Sequence, residues 1–512
     1  MRSINSIKNI AVSILLQLVI ILLGFMSRKV FLDSLGTEYL GVNGVLTNII
    51  AILSLVEAGI SGSLTYNLYK PLAENNREKI IALVQLYKQV YRVLAFIIFV
   101  VSLAIYPILD HLLKGSESVS FLKLAFFIFV LKNIVYYFYE HKVAIFVADQ
   151  KEYILTRIYT IFHVIATLAK MLILILTKDF ILFLIIELIT NTLQCFINNR
   201  VVAKRYPYLF TKKRYQLEKQ EKAGLITQIK ALFLHKVGTY FIYGTDNMII
   251  SYFLGVGTVG LYANYLMLIG QVGALFTPIL GGMTASVANV ITIEGKDKQY
   301  SVFNMVYLIN FWLYSIGIIF LYNLLEPFIN WWLGDGYLLD HLTFIILLVN
   351  FYLTGMRACI TTFKEGGGIF VLDKYTPIIE AGLNVGISMI LVHYLGLAGI
   401  FLGTTISLLA VFWYPPRLVF KNIFGQKVST YFWKYGFYSL LAVVTCVVTT
   451  LLIDHLFSGN SLLILVGKGL VCLFVPNLVY LLVFFKRPEF QYLKDIIGNI
   501  LLSIKLKVAP SK

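Results

Sequence analysis

The chain has 512 residues, 59% of them hydrophobic and only 13% charged, with a mean hydropathy of +0.82. Soluble domains run about 45–50% apolar and about 25% charged, so a soluble globular fold is excluded and an all-α integral membrane protein is expected. The net charge of +17 would suggest nucleic acid in a soluble protein; here the cations lie between apolar runs, where they act as topology signals, and no nucleic acid is expected.

A bilayer core about 30 Å thick needs roughly 20 helical residues. By that measure spans fall near residues 9–32, 40–66, 86–110, 119–146, 154–177, 180–201, 226–254, 259–292, 301–325, 340–363, 376–394, 398–420, 435–456 and 462–485, which is about fourteen transmembrane helices. The first run follows Arg2 and Lys8, as a signal peptide would. It ends on Arg28 and Lys29 with no small-x-small cleavage site, so it reads as a retained span. Loops test the map, because cytoplasmic loops are enriched in Lys and Arg. With the N-terminus inside, the inner segments hold about 30 of the 43 cations. The outer loops hold Lys114 and Lys178, and the one around Glu326, Asp335 and Asp340 is acidic. Both termini are therefore expected in the cytoplasm.

The longest polar stretch, Lys204–Lys222, lies mid-chain and reads as a solvated tether between two bundles, with binding of anionic headgroups as the alternative. The expected organisation is an N-lobe over 1–202, a linker over 203–224, a C-lobe over 225–420, and two further spans with a tail over 421–512. Cys195, Cys359, Cys446 and Cys472 all fall in apolar runs without a C-x-x-C pair. They support neither a metal site nor a disulfide framework.

An internal repeat links the two lobes. The turn between the first two spans reads Leu35-Gly36, four residues, Gly41; the turn between the seventh and eighth reads Leu254-Gly255, four residues, Gly260. Glycine permits tight turns and close helix packing. The motifs lie an even number of spans apart, which predicts a parallel repeat about an axis along the membrane normal, with a central cavity.

Ionisable side chains inside spans are costly and are candidate functional residues. Arg28, Glu57, Lys132, Lys170, Glu187, Lys236, Asp246 and Arg357 fall within the predicted core. Lys170 and Glu187 flank the turn at Lys178-Asp179 at matching depth and could pair across it. Arg28, Lys132 and Lys170 face only Glu187 at comparable depth. Two readings stand: the excess of cations binds an anionic substrate, or each cation is satisfied structurally. Glu57 and Asp246 are candidates for ion coupling or for packing, and Glu187 and Arg357 for ion coupling or structural pairing. Asn48, Gln194 and Gln271 are helix glue or sugar contacts. No enzyme signature is present: Gly366-Gly367-Gly368 lacks a following Lys-Ser/Thr, and the histidines form no metal-spaced pair. No cofactor is expected.

The chain resembles the polysaccharide-transport branch of the multidrug/oligosaccharidyl-lipid/polysaccharide exporter superfamily. The resemblance rests on the L-G-T-E-Y-L-G turn at 35–41, on Ile52–Leu64, on Ser63–Lys79, and above all on Lys236-Val237-Gly238 followed by Asp246–Ser251 and Leu254-Gly255. It implies two six-helix lobes, a cationic cavity and alternating access. It also implies an undecaprenyl-diphosphate-linked oligosaccharide as cargo, of the O-antigen, capsule or teichoic type, with membrane lipids and polysaccharide assembly proteins as partners. Arg28 matches a cavity arginine of related lipid II flippases, but Lys29 stands where those have aspartate. On this reading Arg28, Lys132, Lys170 and Lys236 hold the diphosphate. The alternatives are a cation-coupled exporter of small organic compounds, with acidic cavity residues, and a membrane glycan polymerase or ligase, which would need large outer loops.

Overall fold

The structure, a computed structural model, describes residues 20–149, 151–225, 244–369, 372–373, 375–459 and 461–495. Among them there is no strand. Ten helices are long and apolar enough to cross a membrane, and the chain is a multi-pass membrane protein. It divides into two compact units, residues 1–263 and 264–512.

The first unit begins with α1 (20–35), then α2 (Thr37–Leu53) and α3 (Leu55–Ala73), which break the second predicted span at Ser54. There follow α4 (Arg77–Ile105), α5 (Leu122–Ala148), α6 (Glu152–Thr177) and α7 (Phe180–Arg205). Short polar side chains set the starts: Asn76 accepts the Lys79 amide at α4, and Asp179 accepts the Ile181 and Leu182 amides at α7. The α6–α7 turn needs only Lys178, in a left-handed conformation, and the capping Asp179. The described end of the seventh predicted span is α8 (Asp246–Leu254), and α9 (Val256–Ile293) continues into the second unit.

The repeated glycine motifs meet in the first unit. Gly36 and Gly255 precede α2 and α9 with φ of +87° and +91°, a region that favours glycine. A Cβ on Gly41 would lie 1.8 Å from the carbonyl oxygen of Val256, and one on Gly260 would lie 2.0 Å from that of Thr37. Each motif's last glycine thus seats the first residue of the other's helix, a local two-fold relation written in the sequence as one repeated spacing.

The stretch 204–222 is not a free tether. Gln85 of α4 donates to the Lys213 carbonyl (2.8 Å) and accepts the Tyr215 amide (3.1 Å). Lys79 pairs with Glu221, and Arg77 and Lys142 lie on the rings of Tyr208 and Phe210. Leu209, Leu217 and Leu225 are buried in the core of this unit. The high charge of the segment masks that inner apolar face in its composition.

In the second unit, α10 (Lys296–Leu333), α11 (His341–Gly366), α12 (Thr376–Val411), α13 (Ser429–Leu456) and α14 (Leu462–Phe484) surround an aromatic core. The two last helices pack onto α10: Phe311 stacks on Tyr438 at 4.4 Å between centroids, and Trp312 donates to Asn477 at 2.8 Å. Within α12 the backbone breaks at Gly396, φ +56°. Asn384 reaches Thr404, Ser388 reaches the Ile400 carbonyl, and Gly399 sits against Leu391. These pairs make α12 an antiparallel hairpin, matching the two spans predicted there. A Cβ on Gly403 would lie 2.7 Å from the Ser388 amide nitrogen and 2.2 Å from its hydroxyl. Gly403→Ala should therefore destabilise the second unit by about 1–3 kcal/mol through overpacking, read as a lowered unfolding temperature in detergent.

Candidate functional site

The deepest charge cluster lies in the first unit on α5, α6 and α7. Glu187 enters α7 about 12 Å from its capping turn, at 1.5 Å per residue, and Lys170 lies equally far back along α6. Lys170 Nζ is 3.1 Å from Glu187 Oε2, and Lys132 Nζ of α5 is 2.5 Å from Oε1. All three side chains are less than one-third exposed. The ammonium groups also lie on aromatic faces, Lys132 on Phe129 and Lys170 on Phe183, each at 4.8 Å, an attractive cation–ring contact.

Arg28 joins the same level. Phe31 of α1 meets Phe183 edge-on at 5.2 Å, and Tyr39 meets Phe180 at 5.2 Å. Arg28 is one turn from Phe31 on one side of this contact, and Glu187 is one turn from Phe183 on the other. Because the end of α1 meets the start of α7, both turns lead to the same depth. Arg28 Nη1 is buried and has no hydrogen-bond partner among the described residues. Three cations and one carboxylate therefore share a level, with a net charge of +2 from Arg28, Lys132, Lys170 and Glu187. A site of this kind binds a group with two or more negative charges more readily than a neutral or cationic one.

A second polar cluster in the same unit joins α3, α4 and α5. Tyr91 donates to Glu57 at 3.4 Å, and Tyr136 lies beside Glu140. Glu140 and His141 are buried, and both ring nitrogens of His141 lack a partner. Tyr91 stands next to Tyr137 and His141. Depth alone singles out Glu57. Sequence reasoning sets Glu140 aside as lying toward the end of the predicted span 119–146 and does not single out His141; what buries both is the packing of α3 and α4 against α5. The signal that marks them is two adjacent ionisable residues after an aromatic run. Asp246, at the start of α8, is 8% exposed, and its Oδ1 is buried without a partner among the described residues. Beside it, Asn48 of α2 donates to the Gly244 carbonyl at 2.8 Å, as helix glue would.

In the second unit Arg357 Nη1 donates to both carboxylate oxygens of Glu380 at 2.8 Å, and Glu380 is 1% exposed. This pair joins α11 to the first arm of α12. Lys364 and Asp373 form another pair near the end of α11. Lys236 lies outside the described residues. Among the described residues no group of three or more His, Cys, Asp or Glu side chains is placed to hold a metal ion.

The fold is similar to that of solved membrane transporters. A solved lipid II flippase MurJ, in an inward closed conformation, aligns with 92% of this chain and 98% of its own at a TM-score of 0.66 and 13% identity. An inward-facing multidrug resistance MATE family transporter of the MOP superfamily aligns with 78% of this chain and 94% of its own, at a TM-score of 0.56 and 16% identity. A solved complex of the MATE multidrug transporter DinF-BH aligns with 80% and 94%, at 0.55 and 16%. At these identities the likeness is one of fold. No family model matches the sequence, and no curated protein matches it.

Proposed function

We propose that the chain is a flippase that carries an undecaprenyl-diphosphate-linked oligosaccharide across the bacterial cytoplasmic membrane by alternating access, for assembly of a cell-surface polysaccharide. The observation that carries this reading is the pairing of Lys132 and Lys170 with the carboxylate of Glu187, with Arg28 at the same level and its buried guanidinium nitrogen without a hydrogen-bond partner among the described residues. A solved structure of similar fold is a lipid II flippase. In this reading the diphosphate pairs with Arg28, with Lys132 and Lys170 as its further partners and Lys236 as a fourth cation from the seventh span. Glu187 orients the two lysines before the cargo binds. The sugar enters with the diphosphate and the polyprenyl tail stays in lipid. Moving negative charge out of a negative-inside cell is favourable by about 2.3 kcal/mol per charge per 100 mV, so a diphosphate with roughly two charges gains about twice that.

Deleting the gene is expected to cause a lipid-linked oligosaccharide to accumulate on the cytoplasmic side, measured by mass spectrometry of extracted polyprenyl lipids. A second reading, a cation-coupled exporter of small organic compounds, draws on the carboxylates Glu57, Glu140 and Asp246, the last two buried, and on the likeness to a MATE fold. It predicts no accumulation and sensitivity to toxic compounds instead.

A further inference from the structure

The geometry points to a binding site for the headgroup of an anionic phospholipid in the basic pocket between α4 and the segment 210–222, apart from the cation cluster of the proposed cargo site. The pocket holds about 580 Å³. Its lining includes Lys88 and Arg92 from α4 and Lys212, Arg214 and Lys222 from the opposite wall, and no carboxylate. None of these five cations is in an ion pair among the described residues. The nearby carboxylate Glu221 is taken by Lys79.

The wall is built, not draped. Gln85 grips the backbone on both sides of Arg214, through the Lys213 carbonyl and the Tyr215 amide. Leu217 anchors the next turn in the core. Like charges are thus held facing one another across a cavity, which costs free energy unless an anion sits between them. A phosphate group supplies that anion and accepts several charge-assisted hydrogen bonds.

The apolar surface beyond the pocket selects an amphiphile over a free ion. From Lys88 and Arg92 the exposed face of α4 runs on through Val93, Phe96, Ile97 and Val100, all exposed. Residues three and four apart share one helix face, so a headgroup in the pocket would have its acyl chains along these side chains. Loop charge places this end of α4 on the cytoplasmic side, where anionic lipids attract basic segments by about 1 kcal/mol per Lys or Arg. The site does not depend on what the protein transports.

The test uses the full chain purified in neutral detergent and native mass spectrometry, with phosphatidylglycerol, phosphatidylcholine and inorganic phosphate as probes. Phosphatidylglycerol should be retained roughly tenfold or more over phosphatidylcholine, and removing two facing cations should erase that preference. K88Q/R92Q and K212Q/R214Q change opposite walls, so one failing to fold leaves the other to decide; each must elute monodisperse. K298Q/K421Q, which removes equal charge from the second unit, should leave retention unchanged. Equal retention of the two lipids, or undiminished preference in a folded pocket variant, would overturn the site. Displacement of phosphatidylglycerol by millimolar phosphate would overturn the choice of a lipid and make it a free-phosphate site.

Discussion

Glu187→Gln is expected to lower the unfolding temperature of the first unit and to abolish transport together. The substitution keeps the side-chain shape but leaves Lys132 and Lys170, which both contact this carboxylate, as two like charges within the membrane. Breaking a buried pair by removing one partner costs about 3–5 kcal/mol. The partial exposure of all three side chains puts the expected value near the lower end. The cost comes from the stranded charges, so a second substitution should offset it: stability should return in Glu187→Gln combined with Lys132→Met, while transport should not. Thermal unfolding of the two variants in detergent checks this, and a single variant as stable as the parent would mean that the lysines are satisfied by water.

Gly41→Val should have the largest steric effect in the chain. The Cβ alone would lie 1.8 Å from the Val256 carbonyl oxygen and 2.6 Å from its carbonyl carbon, and a backbone carbonyl cannot swing aside as a flexible side chain can. Gly260→Val should fail in the same way against Thr37. Because the two glycines occupy equivalent places in one reciprocal contact, their effects should be non-additive. A fluorescence-detected size-exclusion assay should show both single variants and the double variant losing the monodisperse peak to a similar extent. Gly36, by contrast, has open space around its Cβ position. Its constraint is the backbone at φ +87° and ψ −178°, a region almost confined to glycine, so Gly36→Ala should cost about 1–3 kcal/mol through strain alone.

These contacts show which parts of the molecule the sequence makes legible. Span positions follow from apolar run length, a property of each segment alone, and the described helices fall where those runs lie. The L-G-x-x-x-x-G repeat is visible as a spacing, while its reciprocal packing can be seen only once both copies are in place. Lys170 and Glu187 are legible as facing residues because a short hairpin fixes their relative depth. Lys132 as the second partner of Glu187 is not, because which helix neighbours α7 depends on packing between distant segments. The Gln85 grip on residues 213–215 is hidden for the same reason, by a sequence separation of more than 120 residues. Glu140 and His141 escape because their burial comes from the packing of α3 and α4 against α5, which depth along one span does not reveal.

Transport itself can be measured directly. Full-length protein reconstituted in lipid vesicles with a fluorescently tagged polyprenyl-diphosphate oligosaccharide is expected to move the headgroup between leaflets, detected as growing access to a membrane-impermeant quencher. Arg28→Glu should reduce that rate to the level of protein-free vesicles while the protein stays folded and inserted. Full activity in Arg28→Glu, or movement of a small organic cation with none of the lipid-linked saccharide, would contradict an anionic cargo held by the Arg28, Lys132 and Lys170 cluster.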